Sequence, residues 1–257
     1  ESRQDRITIQ GVDYRALCLL VEYVYTSVVV VTEENVQVLL TAANLLQLTD
    51  VRDACCDYLQ SQLDPSNCLG IREFADIHGC LDLFNYADSY IEQHFSEVCQ
   101  FDEFLNLTAE QVEAFVKSDS LSIPSEERVF ECVIAWIQSD ALTRQQHLGR
   151  LMQYVRLPLL SQEYILARVE KEPLLQGDSH CIDLIIEALK HHLLSNEQKL
   201  IFSFNTPRTI PRRPVGRPKV LLVIGGQAPK AIRSVECYDL KEEKWYQAAE
   251  MPTRRCR

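Results

Sequence analysis

The residues of this 257-residue chain with the most versatile side chains are ten cysteines and six histidines, and their spacing decides what chemistry is open to them. Zinc sites and dithiol redox centres draw on cysteines with two residues between them, because thiolates on one turn can converge on one ion or one bond; no C-x-x-C pair occurs anywhere. Cys55 and Cys56 are adjacent, His78 stands two residues before Cys80, and His180 precedes Cys181, each without a second ligand pair at finger-like spacing. The run around Cys55 and Cys56 also holds Tyr58 and Leu59 at helical period, so these thiols read as small hydrophobes in a core or on a helix surface. A phosphate-cradling glycine loop and a serine nucleophile elbow are missing as well. The residues therefore predict no catalytic centre, no metal and no cofactor.

A second candidate chemistry is charge. Arg208, Arg212, Arg213, Arg217 and Lys219 form a basic run, but prolines interrupt it and no stacking aromatics accompany it, so it reads as a solvated linker instead of a nucleic-acid tail. From Thr206 onward twelve Lys or Arg face five Asp or Glu, a net of +7; the formal total of −11 then leaves −18 on the first 205 residues. A body so acidic repels a phosphate backbone, and nucleic acid is excluded as a partner. No apolar run approaches the roughly 20 residues that cross a bilayer, so no membrane partner is expected. Free cysteines without a basic-then-apolar leader suit a reducing compartment, and the start at Glu1 suggests that residues precede it.

The elements that must position any site fall into four stretches. Arg6 to Ile9 alternates as a half-buried strand, and Val12 to Tyr25 reads as a helix with Leu17, Leu20, Val21, Val24 and Tyr25 on its apolar face. Val28 to Val31 is β-branched throughout and predicts a short buried strand; Thr32, with Glu33 and Glu34, predicts the cap of a helix that buries Val36, Leu39, Leu40, Ala43 and Leu46. A further helix runs from about Asp50 to Leu63. Asp64 and Pro65 then open a helical hairpin broken at Gly79, with Cys68, Ile71, Phe74 and Ala75 on one arm and Leu83, Phe84, Ala87, Tyr90, Ile91 and Phe95 on the other. Thr108 and Gln111 have capping-box spacing. Val129, Cys132, Val133, Trp136 and Ile137 mark the cleanest amphipathic helix, Leu148, Leu151, Met152 and Val155 another, and Ile182, Ile185, Ile186 and Leu189 the last. Four prolines between Pro207 and Pro218 predict a semi-rigid spacer, and strands follow at Val220 to Ile224, Ser234 to Tyr238 and Lys244 to Tyr246.

Several of these stretches resemble the kelch-like family, in which a BTB domain, a helical BACK domain and a kelch β-propeller follow one another. LLVEYVYTSVVVVTEENVQVLLTAANLLQL is similar to the C-terminal half of a BTB domain, and DPSNCLGIREFADIHGCLDLFNYADSYIEQHF to the start of BACK. VRLPLLSQEYI and EALKHHLL resemble later BACK segments; IGGQAPKAIRSVECYDLKEEKWYQAAEMPTRRCR is similar to a kelch repeat, with structural positions at Gly225, Gly226, Tyr238 and Trp245. The resemblance implies a mainly α chain: 1–63 the C-terminal part of an α/β BTB domain, 64–195 an all-α BACK domain, 196–218 a proline-rich linker, and 219–257 one truncated kelch repeat of an incomplete propeller.

It also implies a role. Family members are non-enzymatic substrate adaptors of cullin-3 RING ubiquitin ligases; they dimerise through the full BTB domain, and some bind actin in the cytoplasm and cytoskeleton, ring canals included. Glu1, before Ser2 and Arg3, is similar to the end of the family's cullin motif, and Tyr25 to a cullin-contact tyrosine, although a half-buried aromatic is the equal alternative. Cys68, Leu69 and Ile71 fall where BACK extends the cullin surface, with core packing as their other reading.

Overall fold

The computed structural model describes residues 9–194, 198, 206–214, 220–227, 230–240 and 243–256. Two compact units are present, Glu1–Arg213 and Pro214–Arg257. The first is helical, with α1 (Tyr14–Thr26), α2 (Val36–Leu45), α3 (Thr49–Ser61), α4 (Cys68–Ile77), α5 (Leu81–Gln93), α6 (Phe95–Val98), α7 (Asp102–Leu105) and α8 (Ala109–Lys117). It continues through α9 (Glu126–Ser139), α10 (Ala141–Arg144), α11 (Leu148–Met152), α12 (Gln162–Tyr164), α13 (Pro173–Gln176) and α14 (Ser179–Leu193).

Local signals start these helices in three ways. Asp13 caps α1 by accepting from the N–H groups of Arg15 and Ala16 at 2.8 and 3.1 Å. Thr108 and Gln111 close the predicted capping box on α8, each side chain accepting from the other's backbone N–H. α2 and α4 share a third device. In each, an asparagine just before the helix accepts through Oδ1 from the N–H three residues back (Asn35 from Thr32, 2.8 Å; Asn67 from Asp64, 2.9 Å). Its Nδ2 donates to the carbonyl five back (Val30 and Gln62, both 2.9 Å). The predicted caps Thr32 and Asp64 thus open a turn, and the helices begin later, at Val36 and Cys68. Gly79, at φ +67°, lets the chain reverse between α4 and α5.

Two cores result. The first packs Ala16 and Leu20 of α1 against Val36, Leu39, Leu40 and Ala43 of α2, Val51, Cys55 and Leu59 of α3, and Ala75 and Leu83 of the hairpin. The second takes Cys68, Leu69 and Ile91 from the same hairpin and joins them to Phe95, Phe104, Val112, Val133, Trp136, Leu151 and Leu184. The α4–α5 hairpin therefore contributes to both. Arg72 sits where they meet: its guanidinium lies 4.4 Å over the Phe84 ring and 5.3 Å from that of Phe115, and its Nε donates to Asp88 at 2.6 Å.

Five expectations need correction or limiting. Of the strand expected from Arg6 to Ile9, residues 6–8 lie outside the described residues, and Ile9 is in no strand. Val28 to Val31 forms no strand; no neighbour offers it a ladder among the described residues, and Val28 and Val30 stay exposed. On α1 the buried face is Ala16 and Leu20, while Val21, Val24 and Tyr25 face outward; Leu46, just past the end of α2, is likewise exposed. α14 buries Cys181, Leu184, Ile185 and Ala188, leaving Ile182 and Ile186 exposed: two overlapping stripes satisfy the helical period, and packing selects the one a residue earlier. The proline-rich stretch is not a solvated spacer in its described part, because Thr206–Arg213 lies against the helical unit with the side chains of Arg212 and its partner Glu126 only 3% and 5% exposed.

The second unit is a three-stranded antiparallel sheet of order β1 (Val220–Ile224), β2 (Val235–Asp239), β3 (Lys244–Gln247). Val220 pairs with Asp239 and Ile224 with Val235; Tyr238 pairs with Trp245. The chain is thus mainly α with a small sheet, as read from the sequence.

Candidate protein-docking surface

α1 is apolar nearly all round, and only half of it is used. Ala16 and Leu20 face the first core, and on the opposite side Tyr14, Cys18, Val21 and Tyr25 recur at four- and three-residue spacing, all exposed. Val24, 63% exposed, flanks that stripe, and Val28 and Val30 extend it past the helix end at Ser27, where φ turns to +57°. A helix with apolar residues on two faces is built to be covered on both. Tyr25 is the most exposed of the set at 86%, so its ring and hydroxyl are free to meet a partner. Tyr14 interacts through its hydroxyl with the Cys18 thiol, which pushes the tyrosine pKa up from its ordinary value.

The other candidate residues are placed differently. Glu1 lies outside the described residues. Cys68 and Leu69 point into the second core and Ile71 packs on the first, so the three straddle the junction and are not gathered on an outer surface with Tyr25. Burial, aided by the nearby Glu103 carboxylate, pushes the Cys68 thiol up to about 11, which keeps it protonated and unreactive at neutral pH. Burial acts in the same direction on Cys55, to about 11, and on Cys56, to about 12. No group of three or more His, Cys, Asp or Glu side chains among the described residues is arranged to hold a metal ion. The arrangement offers a partner an apolar stripe with an exposed tyrosine at its end.

Three features of this surface escaped the sequence reading. Glu103 on α7 reaches across to accept from the Gly70 N–H in the first turn of α4, at 3.2 Å, and a Cβ at Gly70 would lie 3.3 Å from that carboxylate. Ile77 and Leu81, on either side of the Gly79 turn, are both strongly exposed and make a second apolar tip. Arg72 and Asp88 are sixteen residues apart, and no local pattern joins them. The two-faced character of α1 was readable, since Ala16, Leu17, Leu19, Leu20, Val21, Val24 and Tyr25 leave no polar side of ordinary width.

In the β unit the four structural candidates sit in two places. Gly225 and Gly226 follow β1 with φ of +70° and +136°. A Cβ on Gly225 would stand 2.3 Å from the Arg255 carbonyl oxygen, which itself accepts from the Gly226 N–H at 3.0 Å, so only glycine lets the final segment cross there. The rings of Tyr238 and Trp245, cross-strand partners, lie 5.1 Å apart at centroids, within the range of favourable aromatic pairs.

Three family models match the chain in succession: the BTB/POZ domain at residues 1–63, BACK (BTB And C-terminal Kelch) at 68–170, and the Kelch motif at 218–252. Over all 257 residues the chain is 57% identical to Kelch-like protein 2 of Mus musculus and of Homo sapiens, and 55% identical to Kelch-like protein 3 of Homo sapiens. It spans 43% of the length of each of these relatives. With BTB/POZ, BACK and Kelch sequence in that order and relatives aligned along its whole length, the chain is similar throughout to the kelch-like proteins.

Proposed function

We propose that the protein to which this chain belongs is a substrate adaptor of a cullin-3 RING ubiquitin ligase, without catalysis of its own. The observation that carries the reading is the unbroken order of BTB/POZ, BACK and Kelch matches along one chain. An adaptor needs a ligase-facing surface, a rigid body and a substrate-facing end. The exposed stripe of α1 ending at Tyr25 supports the first, and the fused cores of the helical unit support the second. Glu1 and Tyr25 are the proposed direct contacts with cullin-3, and Cys68, Leu69 and Ile71 hold the α4 backbone against the two cores. The full BTB domain supplies a homodimer. As finer parts of the same reading, the Kelch portion binds actin, and the protein works in the cytoplasm and cytoskeleton in the manner of the founding kelch protein of ring canals.

The test uses the full-length protein and the cullin-3 N-terminal domain in titration calorimetry. Binding that Tyr25→Ala and Glu1→Ala each weaken about tenfold or more is the expected result; absence of binding by the unaltered protein overturns the adaptor reading. Actin binding is checked separately, by sedimentation of the full-length protein with filaments, and its failure leaves the ligase role standing.

A further inference from the structure

Thr206–Arg213, TPRTIPRR, is held to the helical unit by contacts at its start, centre and end. At its start the Thr206 hydroxyl donates to Glu187 Oε1 at 2.9 Å and Arg208 Nη2 to Glu187 Oε2 at 2.6 Å. At its centre the Ile210 carbonyl accepts from the Arg156 guanidinium, which also pairs with Asp119. At its end the Arg213 N–H donates to the Asp119 carbonyl at 2.8 Å. Glu187, the Arg156 guanidinium and the Asp119 carbonyl thus hold four of the eight residues, and Arg212 adds a fifth.

Arg212 is the anchor. Its Nε and Nη2 take the Glu126 carboxylate in a two-pronged pair at 2.7 and 3.1 Å. Nη1 donates to the carbonyls of Val116 and Ser118 at 2.8 and 2.5 Å, and Nη2 donates also to that of Tyr154 at 3.4 Å. A guanidinium has five N–H donors in a fixed plane, and all five are met. An ammonium in the same place has three donors and no fork, so it leaves acceptors of this buried pocket unmatched. Four elements of the helical unit supply the pocket: the C-terminal end of α8, the loop after it, the first residue of α9 and the segment after α11. The groove is not sealed, since a cleft of about 370 Å3 runs beside the arm between Lys117 and Tyr154 on one side and Pro207 and Ile210 on the other.

We propose that the helical unit carries a peptide-binding groove selective for short segments with two arginines four residues apart, Arg-x-x-x-Arg, and that the chain's own Thr206–Arg213 arm, turned once over Pro207–Thr209, fills it in cis. The arm is an intramolecular ligand, and a segment of the same chemistry supplied in trans competes for the groove. This goes beyond the adaptor reading and stands whether or not cullin binds.

The experiment uses the full chain and a fluorescein-labelled peptide of residues 206–213. With Arg208→Ala and Arg212→Ala together emptying both arginine pockets, the peptide raises its fluorescence anisotropy on binding; with the unaltered chain it binds at least tenfold more weakly, because the arm occupies the groove. A peptide with lysine at the position of Arg212 loses at least tenfold against the double variant. Equal binding of the arginine and lysine peptides, or no binding to a double variant whose circular dichroism and cooperative melting match the unaltered chain, overturns the proposal. Glu126→Gln, nearly isosteric, guards against a double variant that does not fold: trypsin cuts it after Arg212 at least fivefold faster than the unaltered chain, and equal cutting rates overturn the proposal.

Discussion

α9 carries an apolar stripe, β1 is apolar throughout, and the two meet opposite fates. Val129, Phe130, Val133, Ile134, Trp136 and Ile137 are all buried, whereas every residue of Val220–Ile224 is exposed. The difference lies in what surrounds them. α9 has helices before and after it in sequence, joined by short loops, so each apolar stripe finds another close by along the chain. A strand needs a second layer over its face, and three strands in one sheet offer none; in this unit Val235 is the buried hydrophobic residue among those described. Hydrophobic pattern states what must be covered, and topology states whether the covering is local. α1 lies between the extremes, with one face in the first core and one waiting for a partner.

Substitutions can break or sharpen that comparison. Trp136→Ala in α9 removes a 2%-exposed ring whose Nε1 donates to the Leu107 carbonyl at 3.0 Å, and it should cost about 3–5 kcal/mol in urea unfolding. Leu222→Ala in β1 should cost less than about 0.5 kcal/mol in the same assay; similar losses at the two sites would remove the contrast. Gly225→Ala sets a methyl against the Arg255 carbonyl at φ +70°, and should destabilise the β unit by about 2 kcal/mol or more. Faster amide exchange in β1 and β2 with unchanged helical melting is its signature. Thr108→Ala should lower the helical unit's stability by about 1 kcal/mol through loss of the α8 cap.

Alkaline pH separates the regions more gently. Cys55 and Cys68, pushed up to about 11, and Cys181, pushed up to about 12 by burial, hold their protons longer folded than unfolded. The folded state then binds more protons above the ordinary thiol value of about 8.5, so stability is complete below that pH and falls as pH climbs toward 11–12. The urea midpoint of the helical unit should drop between about pH 8 and about pH 10.5, and the double variant Cys55→Ala, Cys68→Ala should flatten the slope; a slope unchanged by these substitutions would assign it to other groups.

Local patterns were legible and choices between neighbours were not. The Thr108–Gln111 box, the α9 stripe, the Gly79 break and the three strands follow from spacing alone, since each satisfies one local constraint without competition. In α14 two stripes share Ile185, and only packing within the second core chooses Cys181 and Leu184 over Ile182 and Ile186. Thr32 and Asp64 looked like caps because their side chains are of the right kind; the asparagine three residues later carries the turn, a signal present in both TEEN and DPSN. The basic prolines after Thr206 looked solvated because the backbone acceptors for Arg212 lie 58 to 96 residues away. Of the candidate docking residues, Tyr25 was found by resemblance, and its free surface became visible only when α1 showed which face the core takes.

Hydrogen exchange of the full-length protein, with and without the cullin-3 N-terminal domain, tests the account most directly. Slower exchange confined to α1 around Tyr25 and to the α4–α5 hairpin, with β1–β3 unchanged, is the predicted result. Slower exchange in the β strands with α1 unaffected would contradict it.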